Sequence, residues 1–369
     1  MIKYLGSKRV LLPRIVEVVR ALGPDVRSVI DLFSGTSRVG HALKREGYRV
    51  LANDHNAYAA TLARCYVRAD DDVVARAEPI LRELNALAGT PGYFTETFCV
   101  RSRFFRPENG ARVDAIRDTI ARSGFDPELE AVVLVSLMLA ADRVDSTTGV
   151  QMAYLKKWAP RAMNELELRL PELLPCAVHG KGEAYQLDAL DAADVLSADV
   201  AYIDPPYNQH SYLGNYHVWE SLVRWDKPET YGIACKREDV RRRQSRFNSR
   251  AACHEALAGV LDRIRAPNLI VSFNDEGFVS LDDLRDMLSP RGHVLALAFD
   301  CKRYVGARIG IYNPQGEKVG KVGRLRNIEY MVVATHERPS AELRRLAREH
   351  SEALSGAGSE LRPAQALAV

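Results

Sequence analysis

The chain has 369 residues, 47% of them hydrophobic, and a formal net charge of +3 at pH 7. This length and composition allow a large buried core and predict two lobes. The 6 cysteines are scattered with no C-x-x-C pair, which argues for reduced thiols and against a zinc site. The longest apolar stretch, 131–141, is too short to span a membrane, and the charged N-terminus lacks an apolar signal segment. We therefore expect a soluble, cytoplasmic protein with no membrane association.

Residues 1–69 alternate between predicted helices and strands, after a short basic segment at 1–9. Strands are predicted at 29–33 and 48–52, and helices at 10–22, 40–47 and 56–67. This alternation is typical of an α/β fold with a parallel sheet.

A glycine turn, 34–40, joins the first predicted strand to the next helix. Such a turn lets a ligand approach the backbone at a helix N-terminus. It lacks the full G-x-G-x-x-G pattern, so the dinucleotide fingerprint is not met. The second strand ends in Asn53 and Asp54, and an acid about twenty residues past such a turn is well placed for ribose hydroxyls.

Residues 70–178 break the α/β alternation with predicted helices at 71–88, 107–121 and 126–143. The segment 94–106 mixes aromatic residues with arginines, and two interpretations are open. One is ordinary packing with surface charge, and the other is contact with nucleic acid. Four further residues are candidates for base or phosphate contact: Thr147, Gln151, Lys156 and Lys157.

The α/β pattern resumes with a short strand predicted at 177–179 and a segment, 184–187, that leads to Asp188. An apolar strand at 199–203 then runs into Asp204-Pro205-Pro206-Tyr207. The two prolines exclude both helix and ladder pairing, so the acid and the aromatic ring are presented in fixed geometry at a strand's carboxyl end. Ligands bind at that edge in open parallel α/β sheets.

The four residues Asp204–Tyr207 fit the methylation of an exocyclic amine on a nucleobase. Such an amine is a poor nucleophile because its lone pair is delocalised into the ring. Asp204 and the Pro205 carbonyl can accept its hydrogen bonds and stabilise the charge that develops on nitrogen. Tyr207 offers a face on which the base can stack. A strand followed by a proline turn is the alternative interpretation of the same four residues.

Basic residues are concentrated late in the chain. A run at 236–250 includes Arg241, Arg242, Arg243 and Arg246. Lys302 and Arg303 open a predicted β-hairpin, with basic residues on both arms that suit a DNA backbone. The strands at 268–272, 294–299 and 328–334 complete the predicted sheet, and the segment from 339 to 369 is predicted to be partly helical or disordered.

The chain resembles the Dam-like D12 class of adenine-specific DNA methyltransferases, which use S-adenosylmethionine (SAM). The matching segments occur in the order of that class, namely 3–9, 31–40, Asn53-Asp54, Asp188 and 204–207. Two departures are visible, since the glycine turn reads F-S-G-T-S where the class has F-x-G-x-G, and Gly6-Ser7-Lys8 stands where Gly-Gly-Lys is common.

The resemblance adds roles to those that the local patterns assign, for Lys3, Tyr4, Lys8 and Asp188 among others. The catalytic residues would be Asp204, Pro205, Pro206 and Tyr207. The SAM-binding residues would be Tyr4, Lys8, Asp31, Phe33, Ser34, Gly35, Thr36, Asp54, Asp188 and Asp204. The DNA-binding residues would be Lys3, Arg241, Arg242, Arg243, Arg246, Lys302 and Arg303. No metal is expected, because His210 and His217 lie seven residues apart without a matched acid.

We therefore predict an α/β, Rossmann-like SAM-methyltransferase sheet with a mainly helical DNA-recognition insert. The catalytic domain would comprise 1–69 and 179–336, the insert 70–178 and the C-terminal tail 337–369. The expected reaction is site-specific transfer of a methyl group from SAM to adenine N6 in double-stranded DNA, with the target base flipped out of the helix. A cognate restriction endonuclease is an expected partner.

Three alternatives remain at the level of sequence. Methylation of cytosine N4 needs the same amine chemistry, although that group more often has Ser-Pro-Pro-Tyr and the acid at Asp204 favours adenine. A non-catalytic SAM-fold DNA-binding subunit would be expected to lack Asp204 or the glycine turn, and both are present. Methylation of RNA or protein amines is the third, and the large insert argues against it.

Overall fold

The structure is a computed structural model that describes residues 1–302 and 326–355, with side chains at 1–301 and 326–351. The chain divides into two compact units. The first unit consists of Met1–Val10, Ser34–Ala189 and His210–Ser245. The second consists of Leu11–Phe33, Leu190–Gln209 and the described residues from Arg246 onward.

Strands and helices alternate along both units. The described strands are β1 (Ser28–Asp31), β2 (Arg49–Asn53), β3 (Glu183–Tyr185), β4 (Val200–Ile203), β5 (Thr230–Tyr231), β6 (Lys236–Arg237), β7 (Asn268–Asn274), β8 (His293–Lys302) and β9 (Arg326–Thr335). The described α-helices are α1 (Leu12–Ala21), α2 (Arg38–Arg45), α3 (Ala57–Ala63), α4 (Val74–Ala86), α5 (Tyr93–Thr95), α6 (Pro107–Ser123), α7 (Pro127–Arg143), α8 (Ala189–Val195), α9 (Tyr212–Asn215), α10 (His217–Arg224), α11 (Arg250–Arg263), α12 (Leu281–Leu288) and α13 (Ala341–Ser355). Short 3-10 turns lie at Lys8–Val10, Asp71–Val73, Pro160–Met163, Glu238–Arg241, Arg246–Asn248 and Ser289–Arg291, and π turns at Arg64–Arg68 and Glu96–Val100.

The second unit is built on strands in the order β1–β4–β7–β9–β8. β1, β4 and β7 are parallel, and β4 is central to them, with Val200 paired to both Val29 and Asn268. All four residues of β4 are buried, as its continuous apolar sequence predicts for a strand in the middle of a parallel sheet. β9 runs antiparallel to β7 and β8. The parallel strands with their helices confirm the predicted α/β class.

The first unit has its own apolar core. The long helix α7 lies in it, and Asp126 caps its N-terminus by accepting hydrogen bonds from the backbone N–H groups of Glu128 and Leu129 at 3.2 Å each. β2 pairs in parallel with β3, and β5 pairs with β6 in a two-stranded antiparallel ribbon. The predicted insert, 70–178, lies wholly in this unit and is mainly helical in its first half.

The predicted short strand at 177–179 is wrong. The His179 N–H donates to the Gly47 carbonyl at 3.0 Å and the Gly180 N–H donates to the Ala177 carbonyl at 3.0 Å, which closes a turn rather than a ladder, and Val178 is 87% exposed. The helix predicted at 56–67 is α3 continued by the π turn Arg64–Arg68. The C-terminal tail includes α13, whereas Arg303, the rest of the predicted hairpin up to 325, and 356–369 lie outside the described residues. No helix among the described residues combines the length and apolar character needed to cross a membrane.

A buried ion pair in the first unit gives a test of its core. Lys44 is 1% exposed, and its Nζ lies 2.7 Å from Asp70 Oδ1 and 2.7 Å from the Ala69 carbonyl. We expect Lys44→Met to lower the free energy of unfolding by about 3 kcal/mol, because Asp70 would lose its closest partner while buried. Urea denaturation measures this change. The control is Arg45→Met, since Arg45 and Glu172 form an exposed pair whose loss should cost under about 1 kcal/mol. An equal loss of unfolding free energy in the two variants would show that the buried Lys44–Asp70 pair contributes no more than the exposed one.

Candidate active site

The glycine turn begins where the chain leaves β1, after the buried Asp31. The Ser34 N–H donates to the Asn53 carbonyl at 2.9 Å, which fixes the turn to the end of β2. Gly35 has φ +49°, in the left-handed region that favours glycine. A Cβ on Gly35 would also lie 3.2 Å from Cε1 of Tyr4. Both the backbone conformation and the available space therefore require glycine here.

Asp54 holds the turn against the start of α3. Its Oδ2 accepts the Gly35 N–H at 3.0 Å, and its Oδ1 accepts the Asn56 N–H at 2.9 Å. One carboxylate thus bonds the glycine turn and the residue that precedes α3. The side chain is half-buried, and Oδ1 also accepts the Asn56 Nδ2–H at 3.2 Å, so Oδ2 is the carboxylate oxygen that retains a lone pair for a further donor.

Asn53 performs a similar task for the segment before Asp188. Its Oδ1 accepts the Leu187 N–H at 3.0 Å, and its Nδ2 donates to the Leu187 carbonyl at 3.3 Å. Asn53 is buried, whereas Asp188 is exposed and directly precedes α8. This two-way amide contact fixes the backbone next to Asp188. No sequence pattern had indicated this role for Asn53.

Tyr4 packs among aromatic residues beside the glycine turn. Its ring stacks on Tyr216 with centroids 4.6 Å apart and on Tyr212 with centroids 5.2 Å apart. Its hydroxyl lies 3.1 Å from the hydroxyl of Tyr58. Burial raises the pKa of Tyr4 well above its usual value, so the hydroxyl stays neutral. Lys8 is buried in the 3-10 turn that follows.

The glycine turn retains hydrogen-bonding capacity. The hydroxyl oxygens of Ser34 and Ser37 are buried and form no hydrogen bond within the described chain. Thr36 is buried beside them, and Phe33 meets Phe247 edge-on at 5.0 Å in the second unit. Orphan hydroxyls next to a glycine with no side chain fit a polar ligand such as a nucleoside. The residues present therefore suit a SAM-binding turn.

The Asp204–Tyr207 segment leaves the buried strand β4. Asp204 is half-buried and Pro205 is buried. The Tyr207 carbonyl accepts the Phe278 N–H at 3.0 Å, and its ring lies 5.6 Å from the ring of Phe273 on β7. Tyr207 is thus held through both its backbone and its ring, which fixes the position of the ring.

Comparison with known proteins identifies the family. A model of the D12 class of N6 adenine-specific DNA methyltransferases matches residues 4–286. The chain belongs to this class. The predicted resemblance is therefore confirmed, as is the methyltransferase type of its α/β fold.

Several curated methyltransferases are similar to this chain. The type II methyltransferase M.NlaIII of Neisseria lactamica is 28% identical over 312 residues, which cover 82% of this chain and 92% of that protein. The type II methyltransferase M.FokI of Planomicrobium okeanokoites is 28% identical over 309 residues, covering 79% and 47%. The modification methylase LlaI of Lactococcus lactis subsp. lactis is 27% identical over 301 residues, covering 77% and 48%. The match thus spans about half the length of M.FokI and LlaI.

The predicted DNA-binding arginines of this D12-class chain differ in their partners within the protein. Arg242 is exposed, and Arg241 is exposed but lies 3.9 Å from the Tyr231 ring centre and 3.3 Å from Glu238. Arg246 lies 3.0 Å from Glu255.

Two residues predicted to contact DNA form ion pairs within the protein. Lys3 Nζ lies 2.9 Å from Asp145 Oδ1, and Arg243 lies 2.8 Å from the buried Glu220. The Lys302 side chain and Arg303 lie outside the described residues.

The aromatic residues at 94–106 serve packing. Phe94, Phe98, Phe104 and Phe105 are each at most 1% exposed and belong to the core of the first unit. The structure thus favours the packing interpretation for the aromatic residues of this stretch.

Two of the four polar candidates in the insert are also internal. Thr147 is buried and donates to Asp145 at 2.5 Å, and the Gln151 side chain accepts the Val218 N–H at 3.0 Å. Lys156 and Lys157 are exposed.

The two histidines after the Asp204–Tyr207 segment lie in different surroundings. His217 is buried with its Nε2 2.9 Å from the Gln151 carbonyl, and burial lowers its pKa to about 3. His210 is exposed. Among the described residues, no group of three or more His, Cys, Asp or Glu side chains is placed to hold a metal ion.

Asp54 gives the most direct test of the cofactor half of the site. We expect Asp54→Ala to weaken SAM binding by roughly 1.5–3 kcal/mol, because a charged acceptor is lost and the glycine turn is released. Asp54→Asn keeps one acceptor oxygen, so its SAM affinity should fall between those of the wild type and Asp54→Ala. Isothermal calorimetry measures the affinity, and Asp72→Ala, at an exposed acid in the same unit, is the control. If Asp54→Ala bound SAM as the wild type does, Asp54 would only cap the helix start.

Proposed function

We propose that this chain methylates adenine N6 in double-stranded DNA at a specific site, with SAM as the donor and the target base flipped out. The observation that carries the proposal is the fixed presentation of Asp204 and Tyr207 directly after the buried strand β4. A base inside the duplex cannot reach an enzyme's reacting groups, so extrusion is required. The adenine specificity follows the family, and the acid at Asp204 accords with it.

The reacting groups of the chain act on the amino nitrogen. The Asp204 carboxylate and the Pro205 carbonyl accept hydrogen bonds from the two hydrogens on this nitrogen. These bonds draw the lone pair out of the ring and stabilise the positive charge that forms. SAM supplies an activated methyl group on a sulfonium, so no covalent enzyme intermediate is needed. Tyr207 provides the face against which the flipped base stacks, and Phe273 supports that ring at 5.6 Å.

The cofactor would be held mainly by the glycine turn and the acids near it. Ser34, Gly35 and Thr36 would face the donor, with Asp31 and Phe33 leading into them. Asp54 would bind the ribose hydroxyls, and Asp188 would bind the adenine of the donor. Tyr4 and Lys8 would border the same ligand. The Ser34 hydroxyl, which is buried and has no hydrogen-bond partner among the described residues, supports this assignment.

DNA binding would involve the helical insert 70–178 and the basic residues. Arg241 and Arg242 are exposed, which suits contact with phosphates, and Arg246 follows them. Lys302 and Arg303 would add contacts from the predicted hairpin. The division into a catalytic domain (1–69 and 179–336), the insert and a tail (337–369) belongs to this proposal.

We also propose a biological setting. M.FokI and M.NlaIII are named type II methyltransferases, and LlaI is named a modification methylase. By analogy, this protein would protect cytoplasmic DNA within a restriction–modification system that includes a cognate restriction endonuclease.

Replacing Asp204 tests the proposed chemistry. We expect Asp204→Asn to lower the rate of methyl transfer by about 10²–10³-fold, because one preorganised charged acceptor is lost. SAM affinity should be little changed. Single-turnover transfer of labelled methyl groups measures the rate, and Asp262→Asn, at an exposed acid on α11, is the control. Near-native transfer by Asp204→Asn would overturn the proposal.

Tyr207 separates stacking from a structural role. Tyr207→Phe should retain most activity because the ring face is kept, whereas Tyr207→Ala should lose about 1–3 kcal/mol of base stacking. Methyl transfer and melting temperature are measured together for both variants. A 2-aminopurine at the target position should brighten on flipping and brighten further with Tyr207→Ala. If Phe is as inactive as Ala, or if both unfold, the stacking role is wrong.

A further inference from the structure

Arg243 differs from its neighbours in the basic run. Arg242, the preceding residue, is exposed, whereas Arg243 is half-buried and directed into the first unit. Its Nη1 lies 2.8 Å from Glu220 Oε1 and 3.3 Å from Asp239 Oδ2. Burial alone would lower the pKa of Arg243, but the hydrogen bonds and negative charges of Glu220 and Asp239 together outweigh burial and raise that pKa above its usual value. This guanidinium is engaged by the protein rather than presented to a polyanion.

Glu220 is the partner that makes this contact informative. It is 0% exposed on α10, and an isolated buried carboxylate is costly unless a cation and hydrogen bonds compensate it. Arg243 binds one of its oxygens. The other, Oε2, accepts the backbone N–H of Tyr58 at 3.1 Å. Glu220 therefore connects the basic run to the first turn of α3.

The first turn of α3 is also where the cofactor half of the site is anchored. Asp54, which bonds Gly35, also accepts the Asn56 N–H two residues before Tyr58. The Tyr58 hydroxyl lies 3.1 Å from the Tyr4 hydroxyl, and the Tyr4 ring limits the space above Gly35. A shift of α3 would therefore move Asp54 and Tyr4 together.

We infer that Glu220 and Arg243 form a positioning pair for methyl-donor binding, and that Arg243 is not a DNA contact. The pair fixes the start of α3, and α3 fixes the acid and the ring that border the glycine turn. Neither residue touches the donor itself. The inference rests on the proposed function only in that SAM is taken as the ligand of the glycine turn.

The test compares three glutamine variants of the full chain. Glu220→Gln and Arg243→Gln each break the ion pair, and Arg242→Gln is the matched control at the exposed neighbour. Calorimetry gives the SAM dissociation constant, and fluorescence anisotropy gives binding to a mixed-sequence DNA duplex without SAM. We expect the two pair variants to weaken SAM binding by about tenfold, the effect of losing one charge-assisted hydrogen bond, with DNA binding unchanged. Arg242→Gln should weaken DNA binding and leave SAM binding unchanged.

Two further variants separate positioning from general stability. The double variant Glu220→Gln/Arg243→Gln should bind SAM no more weakly than either single variant, because the residues act as one unit. Arg243→Lys keeps a cation beside Glu220 and should recover most of the SAM affinity at an unchanged melting temperature.

Five outcomes would overturn the inference. The first is weakened DNA binding with unchanged SAM affinity for Arg243→Gln. The second is additive losses in the double variant. The third is a lower melting temperature in the pair variants together with equal losses of SAM and DNA binding. Arg243→Lys would then fail to restore the melting temperature. If the wild type bound SAM but all variants bound it equally well, the inference would fail and the proposed function would stand. A wild type that does not bind SAM would overturn both.

Discussion

The carboxylate of Asp54 is the contact on which the proposed cofactor half of the site depends. It bonds both the Gly35 N–H of the glycine turn and the backbone before α3. Gly35 has no side chain of its own to anchor it, so its position must come from such outside contacts. Asn53, the preceding residue, fixes the backbone at Leu187 in the same way. Two adjacent residues at the end of β2 thus organise two separate segments.

The catalytic half relies on a different constraint. β4 is fully buried between β1 and β7, and the two prolines after it leave little backbone freedom. Tyr207 is then secured by its carbonyl contact to Phe278 and its ring contact to Phe273. Chemistry on a weak nucleophile needs groups that are already in place, because reorganisation during the reaction would add to the barrier. Rigid strand ends meet that need better than mobile loops.

Local patterns predicted β1, β2, β4, β7, β8 and β9 and the residues that stand at the ends of β2 and β4, whereas β5, β6, α10, α11 and α12 were not predicted. The apolar run before Asp204 and the acid after β2 are visible in sequence because strand, turn and acid follow one another along the chain. Arg243 could not be assigned in this way, since its buried partner Glu220 lies on a separate helix and only folding brings the two together. The same holds for Gln151, whose polarity suggested a base contact but whose side chain bonds the Val218 backbone. The strand expected at 177–179 did not form, because the backbone there makes one hydrogen bond to Gly47 and closes a turn from Ala177 to Gly180 instead of pairing in a ladder.

The identity of the methylated base tests the central claim most directly. Wild-type protein is incubated with duplex DNA and SAM carrying an isotopically labelled methyl group, and the DNA is digested to nucleosides for mass spectrometry. The proposed chemistry predicts that all labelled product is N6-methyladenine, because Asp204 meets the adenine amino group. Label in N4-methylcytosine, or no labelled nucleoside from a protein that binds SAM and DNA, would contradict it.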